Sequence, residues 1–303
     1  MEEVGLEPEQ LYWYFKKYKG FLDKKLIRQE YPCTPEEAFL LSGENVFDTE
    51  KLSARLQSIT NPLKTGYFEY DYDGLQISII QWVNDKTNGY IHIYQLPNSP
   101  VVTKYCIGGD TAGDGSDWFT GHVLDAKTGV QVAVLKHKFD ADQYTRQMYC
   151  LGMYYKRALI GIEANFDTYP IMELQRLGYT NQYIREKFDE YTGKMEKRFG
   201  FKTTSLTRSP IISRLKEVVR EHCETINDKD TLKELLTIVK NEKGKAEAPA
   251  GRHDDQMMGL AIAHETREQV VFDNEVIEVS SQYQFSFEKE NEHYDYGHKI
   301  TVV

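Results

Sequence analysis

Cysteine is scarce and badly placed for chemistry. The four residues Cys33, Cys106, Cys150 and Cys223 form no CxxC or CxxH pair, which excludes a zinc knuckle and a disulfide framework and leaves them as buried thiols. Long apolar runs are missing too: nothing approaches the roughly 18 to 20 residues that span a bilayer. The N-terminus MEEVGLEPEQ has neither the basic region nor the apolar core of an export signal, so the expectation is a soluble, intracellular protein. The phosphate-loop pattern GxxxxGK[ST] occurs nowhere, so this chain is not expected to be an ATP-driven motor. Positive charge is also short. A formal net charge of -10 argues against a partner held by basicity alone, as a phosphate backbone would be.

What is present is enough for a core. The chain has 303 residues, 40% hydrophobic and 13% aromatic, which suits one large or two small globular units. Residues 1–60 are helical and charged in pattern: EPEQLYWYFKKYKGFLDKKLIRQEYP stops at Pro32, Thr34 and Glu37 form a capping box with Pro35 at the first helical position, and TEKLSARLQSI ends before Asn61-Pro62. From about residue 66 the period changes to two. GYFEYDYDG, LQISIIQWV and GYIHIYQLP read as strands between turn signals, followed by KYCIGGDTA, WFTGHVLDAKTG and VQVAVLKHKF. DADQYTRQMYCLGMYYK then reads as a helix and RALIGIEAN as a short apolar strand. TYPIMELQRLG reads as a helix, and a further helix begins at Ser209-Pro210. LKELLTIVKNEKGKAEAPAG looks like a strand pair around Lys243-Gly244, and HDDQMMGLAIAHET is the last helix. A strand meander, a helix, a further strand and then helices predict an α/β fold, a mixed β-sheet flanked by helices.

Acidic residues occupy three special places in that pattern. Asp110 ends the strand KYCIGGD, Glu163 ends ALIGIE, and Asp254-Asp255 open the last helix. A pair of aspartates there is explained by capping and the helix dipole alone. Strand ends and a helix start can also converge on one sheet edge, where crowded carboxylates raise each other's pKa unless a cation lies between them. Hard Mg²⁺ or Mn²⁺ suits such oxygen donors, and two such ions support phosphodiester hydrolysis. Bound cations would also invert the local field and soften the objection from net charge.

These motifs resemble the C-terminal nuclease domain of the large terminase subunit of tailed bacteriophages, over roughly residues 25 to 265. RQEYPCTPEEAFLLSGENVFD is similar to the segment joining the packaging ATPase to the nuclease. GGDTAGDGSDWFTGHVLDAKTG is similar to the strand with the first catalytic Asp, IGIEAN to that with the second acid, and GRHDDQMMGLAIA to the helix with the third. FGFKTTSLTRSPIISRLKEVV and LKELLTIV also fit the family's order. The resemblance implies an RNase H-like fold with an N-terminal helical linker segment from a missing ATPase domain over 1–60, a nuclease domain over 61–270 and an acidic tail segment over 271–303. It makes Asp110 and Glu163 metal ligands and catalytic residues, and the third acid Asp254 or Asp255, between which the sequence does not choose. Asp117 matches a further acid near the metals; Asp114, between two glycines, reads as a turn residue. His253 reads as structural. The Asn165-Phe166-Asp167 stretch departs from the family, which often has a glycine after the acid.

Implied partners are double-stranded DNA and, in the full-length protein, the small terminase subunit and portal, with no membrane, in the cytoplasm of the infected bacterial host. Basic candidates for DNA contact are Lys202, Arg208, Arg214 and Lys240, with Lys243 and Lys245 held more loosely. The expected activity is metal-dependent cutting of concatemeric viral DNA with low sequence preference, since phosphate contacts carry no sequence information. A resolvase- or transposase-like nuclease of the same fold, or a non-catalytic docking module, are the competing readings.

Overall fold

The computed structural model describes residues 7–20, 31, 45–98, 104–111, 118–165, 167–189, 194–249 and 251–272. The predicted helix opened by Thr34 and Pro35, together with Cys33, Asp114, Asp117 and the tail beyond residue 272, lies outside them. Among the described residues, no helix is long and apolar enough to cross a membrane.

A seven-stranded mixed sheet is the frame. Its strands are β1 (Lys64–Tyr72), β2 (Ile77–Asn84), β3 (Ile91–Ile93), β4 (Tyr105–Asp110), β5 (Phe119–Asp125), β6 (Gln131–His137) and β7 (Leu159–Ile162), in the spatial order β2-β1-β3-β6-β5-β4-β7. Every pairing is antiparallel except that of β4 with β7. The β5–β6 turn follows the sequence signal: the Asp125 carboxylate accepts from the N–H groups of Lys127 and Thr128, and Gly129 takes the left-handed φ of +76° that closes the loop. GYIHIYQLP forms less strand than expected, keeping only Ile91–Ile93.

Strands β4 and β5 are buried along their whole length, because helices cover both faces and the side-chain alternation feeds two cores. Cys106 and Leu124 point into one core with Leu52, Leu215, Leu232 and Leu260. Their strand neighbours Ile107 and Val123 point into the other, with Tyr144, Met148, Leu151 and Leu174. Each fully buried Leu or Ile contributes about 1.5 to 3 kcal/mol. The first core is roofed by α2 (Thr49–Ser58), α5 (Ser205–His222), α6 (Lys229–Thr237) and α7 (Asp255–Arg267), the second by α3 (Ala141–Tyr154) and α4 (Tyr169–Arg176). Helix α7 lies directly on the sheet. A Cβ on Gly108 would collide with the Ala263 backbone, and one on Gly259 with Thr120 Oγ1, so glycine permits the approach that brings the start of α7 to the strand ends. An N-terminal helix, α1 (Pro8–Gly20), buries no residue.

Two expectations need correction. The helix expected to begin at Ser209-Pro210 starts at Ser205, because Thr204 and Thr207 form a reciprocal capping box one turn earlier and Pro210 sits inside the helix. The segment LKELLT is not strand but α6, capped by Asp228, whose carboxylate accepts from Thr231 N. Its Leu232, Leu235 and Leu236 recur at helical spacing and are buried. Only Val239–Lys240 (β10) and Ala246–Glu247 (β11) form the expected strand pair. A hairpin not foreseen, β8 (Ile184–Asp189) with β9 (Lys194–Phe199), stands beside β7. Its root is tied to the strand through Phe201 N–H to Ile162 O and Ala164 N–H to Phe201 O.

Candidate active site

Strands β4 and β7 run parallel with Gly109 opposite Ile162, so Asp110 and Glu163 are the next pair in register at the same ends of adjacent strands. The Glu163 N–H bonds Gly109 O at 2.9 Å and continues the ladder. Parallel register puts both carboxyls on one face. Asp110 is 8% and Glu163 4% exposed, which is unusual for acids without a cationic partner. Burial pushes the Asp110 pKa well above the carboxylate range; the adjacent Glu163, which shares a hydrogen bond with it, pushes it further, then Asp255 and Asp254. Every leading influence on Asp110 favours its neutral form.

The start of α7 completes the acidic edge. Asp255 is the first residue of the helix, and its Oδ2 accepts from Trp118 N at 2.9 Å, while its carbonyl accepts from Thr120 Oγ1 at 3.0 Å. These bonds lock the helix start to β5. Asp254 behaves differently: its Oδ2 meets Arg208 Nη2 at 2.6 Å, and the same nitrogen reaches Ala246 O at 3.3 Å. Of the two aspartates, Asp255 is the more enclosed, its side chain 14% exposed against 30% for Asp254, and it bears more strongly on Asp110. His253 lies 3.9 Å from Asp255 through Nδ1.

A further acid belongs to this edge and was missed in the sequence. Glu234 on α6 accepts from Met257 N, in the first turn of α7, at 2.8 Å. Burial raises its pKa to about 8 against the pull of that N–H and of Lys136, with Asp255 and Asp254 adding to the rise. Its helix reads as strand in the sequence, so nothing pointed it at the site.

Among the described residues no group of three or more His, Cys, Asp or Glu side chains converges closely enough to hold a metal ion. The donor chemistry nonetheless fits a hard divalent cation at its centre: two buried carboxyls in hydrogen-bond contact, with the buried Thr111 Oγ1 beside them lacking any partner. A third donor could come from Asp255, whose Oδ1 is not the oxygen that accepts from Trp118.

The basic candidates separate. Arg208 is bound to Asp254, and Arg214 forms an ion pair with Glu265, so both guanidiniums are engaged within the fold. Lys240, Lys243 and Lys245 are exposed on or next to the β10–β11 hairpin, whose Ala246 carbonyl is held by the same Arg208 nitrogen that binds Asp254. Lys202 lines a cleft of about 480 Å³ with Ala164, the residue after Glu163 in the chain, and with Thr168, Arg185 and Arg198. Burial, and then Arg198 nearby, lowers the Arg185 pKa. These two arginines come from the unforeseen hairpin.

No family model matches the chain and no curated protein matches it. Among solved structures, the chain is similar to the large terminase nuclease from thermophilic phage G20c with bound magnesium, at 18% identity and a TM-score of 0.48, covering 73% of this chain and 97% of that one. It is similar to the same nuclease with bound cobalt, at 17% identity and a TM-score of 0.48, over 73% and 97%. The large terminase nuclease domain of Thermus phage P74-26 is similar at 19% identity and a TM-score of 0.43, over 70% and 93%.

Proposed function

We propose that this chain is a divalent-metal-dependent endonuclease, the nuclease domain of a phage large terminase subunit with an RNase H-like fold, cutting concatemeric double-stranded viral DNA during genome packaging. The observation that carries the reading is the buried Asp110–Glu163 pair at the ends of parallel strands, with Asp255 facing it from a helix start. Asp110 and Glu163 would hold Mg²⁺ or Mn²⁺, and Asp255 is favoured over Asp254 as the third acid because Arg208 already neutralises the latter. Two ions would supply an activated water and stabilise the leaving oxygen. The protein's own residues fix the geometry: Trp118 and Thr120 pin the start of α7 to β5, and Glu234 clamps its first turn from α6. Lys202, Arg185 and Arg198 would bind backbone phosphates beside Glu163, a contact that is blind to sequence. The full-length protein would meet the small terminase subunit and portal in the cytoplasm of the infected bacterial host.

Plasmid cleavage tests this reading, with Mn²⁺, Mg²⁺ or EDTA, alongside Asp110→Ala and Glu163→Ala variants whose folding is verified by circular dichroism. Cutting that needs metal and disappears in both variants is the expected result. Cutting that persists in both variants overturns the assignment of the site, and a parent that neither cuts DNA nor binds Mn²⁺ overturns the reading in favour of a docking module.

A further inference from the structure

A cavity of about 460 Å³ opens immediately beside the acidic edge, with walls that include Tyr90, His92, Trp118, Lys136, His137 and Gln256. Two of these residues belong to the edge's own scaffold. Gln256 follows Asp255 in α7, and the Trp118 N–H is the one that Asp255 accepts. The cavity is of the size that encloses a small organic ligand.

Its lining is aromatic and pre-organised. Tyr90 stacks on His137 with centroids 4.9 Å apart and planes 26° apart, and on Tyr67 on the other side at 5.6 Å. Phe139 meets both His137 and Tyr90 edge-on, at 4.8 and 5.0 Å. Burial lowers the His137 pKa, so at neutral pH this ring is a flat, uncharged surface. Trp118 carries two ammonium groups around its ring, Lys136 Nζ at 5.1 Å and Lys138 Nζ at 5.2 Å from the centroid. Cations held on an indole face remain available to an anion.

The lining also contains acceptors. Asp228 is saturated by Tyr94 Oη, by both donors of Thr231 and by the His92 ring, but the neighbouring Asp230, in the first turn of α6, also lines the cavity and is exposed. Flat rings, Lys136 and a carboxylate in one small cavity, with Lys138 at its margin on the same indole ring, match the parts of a nucleotide: a base to stack, a phosphate to neutralise and an amino group to donate.

We propose that this cavity seats a single nucleotide carrying an amino-bearing base, the base on the His137 and Trp118 rings and the phosphate between Lys136 and Lys138. Resting on the nuclease reading, the site takes an unpaired nucleotide of the DNA strand next to the one being cut. A free mononucleotide offers the same chemistry and is the other source.

Binding in EDTA separates the site from any metal-held contact at Asp110 and Glu163. Tryptophan fluorescence of the full chain is titrated with dAMP, dTMP, a short single-stranded dA oligonucleotide, and the same oligonucleotide with one central abasic residue. Expected are quenching that is lost in Trp118→Phe and dAMP binding tighter than dTMP. The intact strand should bind roughly tenfold tighter than the abasic one. Lys138→Glu, an exposed change that spares the fold, should weaken the strand by roughly tenfold and flatten its salt dependence. Tighter binding by the strand than by dAMP assigns the site to DNA, and the reverse assigns it to a free nucleotide. Absence of quenching by every probe, or equal binding by Lys138→Glu and the parent, overturns the proposal. Metal-dependent cutting lost in Asp110→Ala while nucleotide binding fails leaves the nuclease reading standing alone. Nucleotide binding without any cutting by the parent does the opposite.

Discussion

Asp110 and Asp228 are both buried carboxylates, 8% and 2% exposed, and their protons behave in opposite ways. Asp228 sits at the cap of α6 and receives Tyr94 Oη at 2.9 Å, Thr231 N at 2.7 Å and Thr231 Oγ1 at 2.8 Å, with His92 Nδ1 at 3.4 Å. Those donors outweigh its burial and hold the carboxyl far below its ordinary range. Asp110 receives one backbone N–H, from Thr111 at 3.0 Å, and otherwise faces another acid. Its carboxyl is pushed up instead. Burial is common to both; the donors differ. A carboxylate whose donors are all within the fold serves the fold, whereas one left facing a second carboxylate stores an electrostatic cost that a bound cation would relieve.

Substitution should separate the two most strongly. Asp110→Asn is expected to reduce metal-dependent DNA cutting by roughly two to three orders of magnitude, since a metal-holding carboxylate supports several kcal/mol of barrier lowering, while leaving the melting temperature equal to or above the parent's. Asp228→Asn should do the reverse, unfolding more easily by about 2 to 3 kcal/mol through loss of a cap and of charge-assisted bonds. Calorimetry beside a plasmid assay reads both. An Asp110→Asn protein that melts well below the parent would abolish the distinction.

Mn²⁺ sharpens the same contrast. Ligands that bind only the folded state raise stability with the logarithm of one plus the ratio of free ligand to dissociation constant, and a hundredfold excess contributes about 2.7 kcal/mol. The parent and Asp228→Asn should both gain several degrees of melting temperature in Mn²⁺, and Asp110→Asn and Glu163→Gln should gain far less. Equal gains in all four proteins would mean that the ion binds elsewhere.

How much of this was readable beforehand depends on whether a residue's role lay in its own element. Strands β4 and β7 and helix α7 are legible because two short strand patterns end, and an apolar helix begins, at acids, and the mixed sheet they imply is the one that forms. The hairpin β8–β9 is not. IREKFD and KMEKRF place charges on successive residues, so no period of two stands out. Helix α6 reads as strand in the sequence because LKELLTIVK carries β-branched residues towards its end, and the helix-setting interaction, the cap by Asp228, depends on a residue outside that run. Glu234 was lost with it. Arg208 was readable as basic but not as the partner of Asp254, a contact between α5 and the start of α7 across 46 positions of chain.

Glu234 gives the contrast a pH axis. Its folded pKa of about 8 lies above the ordinary carboxyl value of 4.5, so the folded state holds a proton that the unfolded state has lost between those two values. Stability from this group is therefore full below about 4.5, falls as pH rises towards about 8, and is not regained above it. Asp228 has the opposite sign: its contribution is full above its unfolded value and is lost as pH falls through the depressed folded one. Glu234→Gln keeps an oxygen for the Met257 N–H and cannot ionise. It should melt like the parent at pH 5 and above it at pH 8.5. A variant that loses stability equally at both would show that the carboxylate charge is not what Glu234 contributes.

The smallest effects are expected at the basic side chains. Lys240→Ala, on the short strand β10, removes an exposed side chain and should change melting and DNA cutting by less than twofold equivalents, within about 0.5 kcal/mol. Lys202→Ala, in the cleft beside Glu163, should leave stability alone yet lower the salt dependence of DNA binding by about one unit of slope, since one phosphate contact is lost. Arg208→Ala lies between these cases: it frees Asp254 from its guanidinium partner and is expected to raise the negative field on Asp110 and tighten Mn²⁺ binding severalfold, at a cost of about 1 kcal/mol in stability. Titration of Mn²⁺ by calorimetry checks this. Weaker Mn²⁺ binding in Arg208→Ala would mean that the ion pair positions Asp254 for the cation instead of withholding it, and the choice of Asp255 as third acid would have to be reversed.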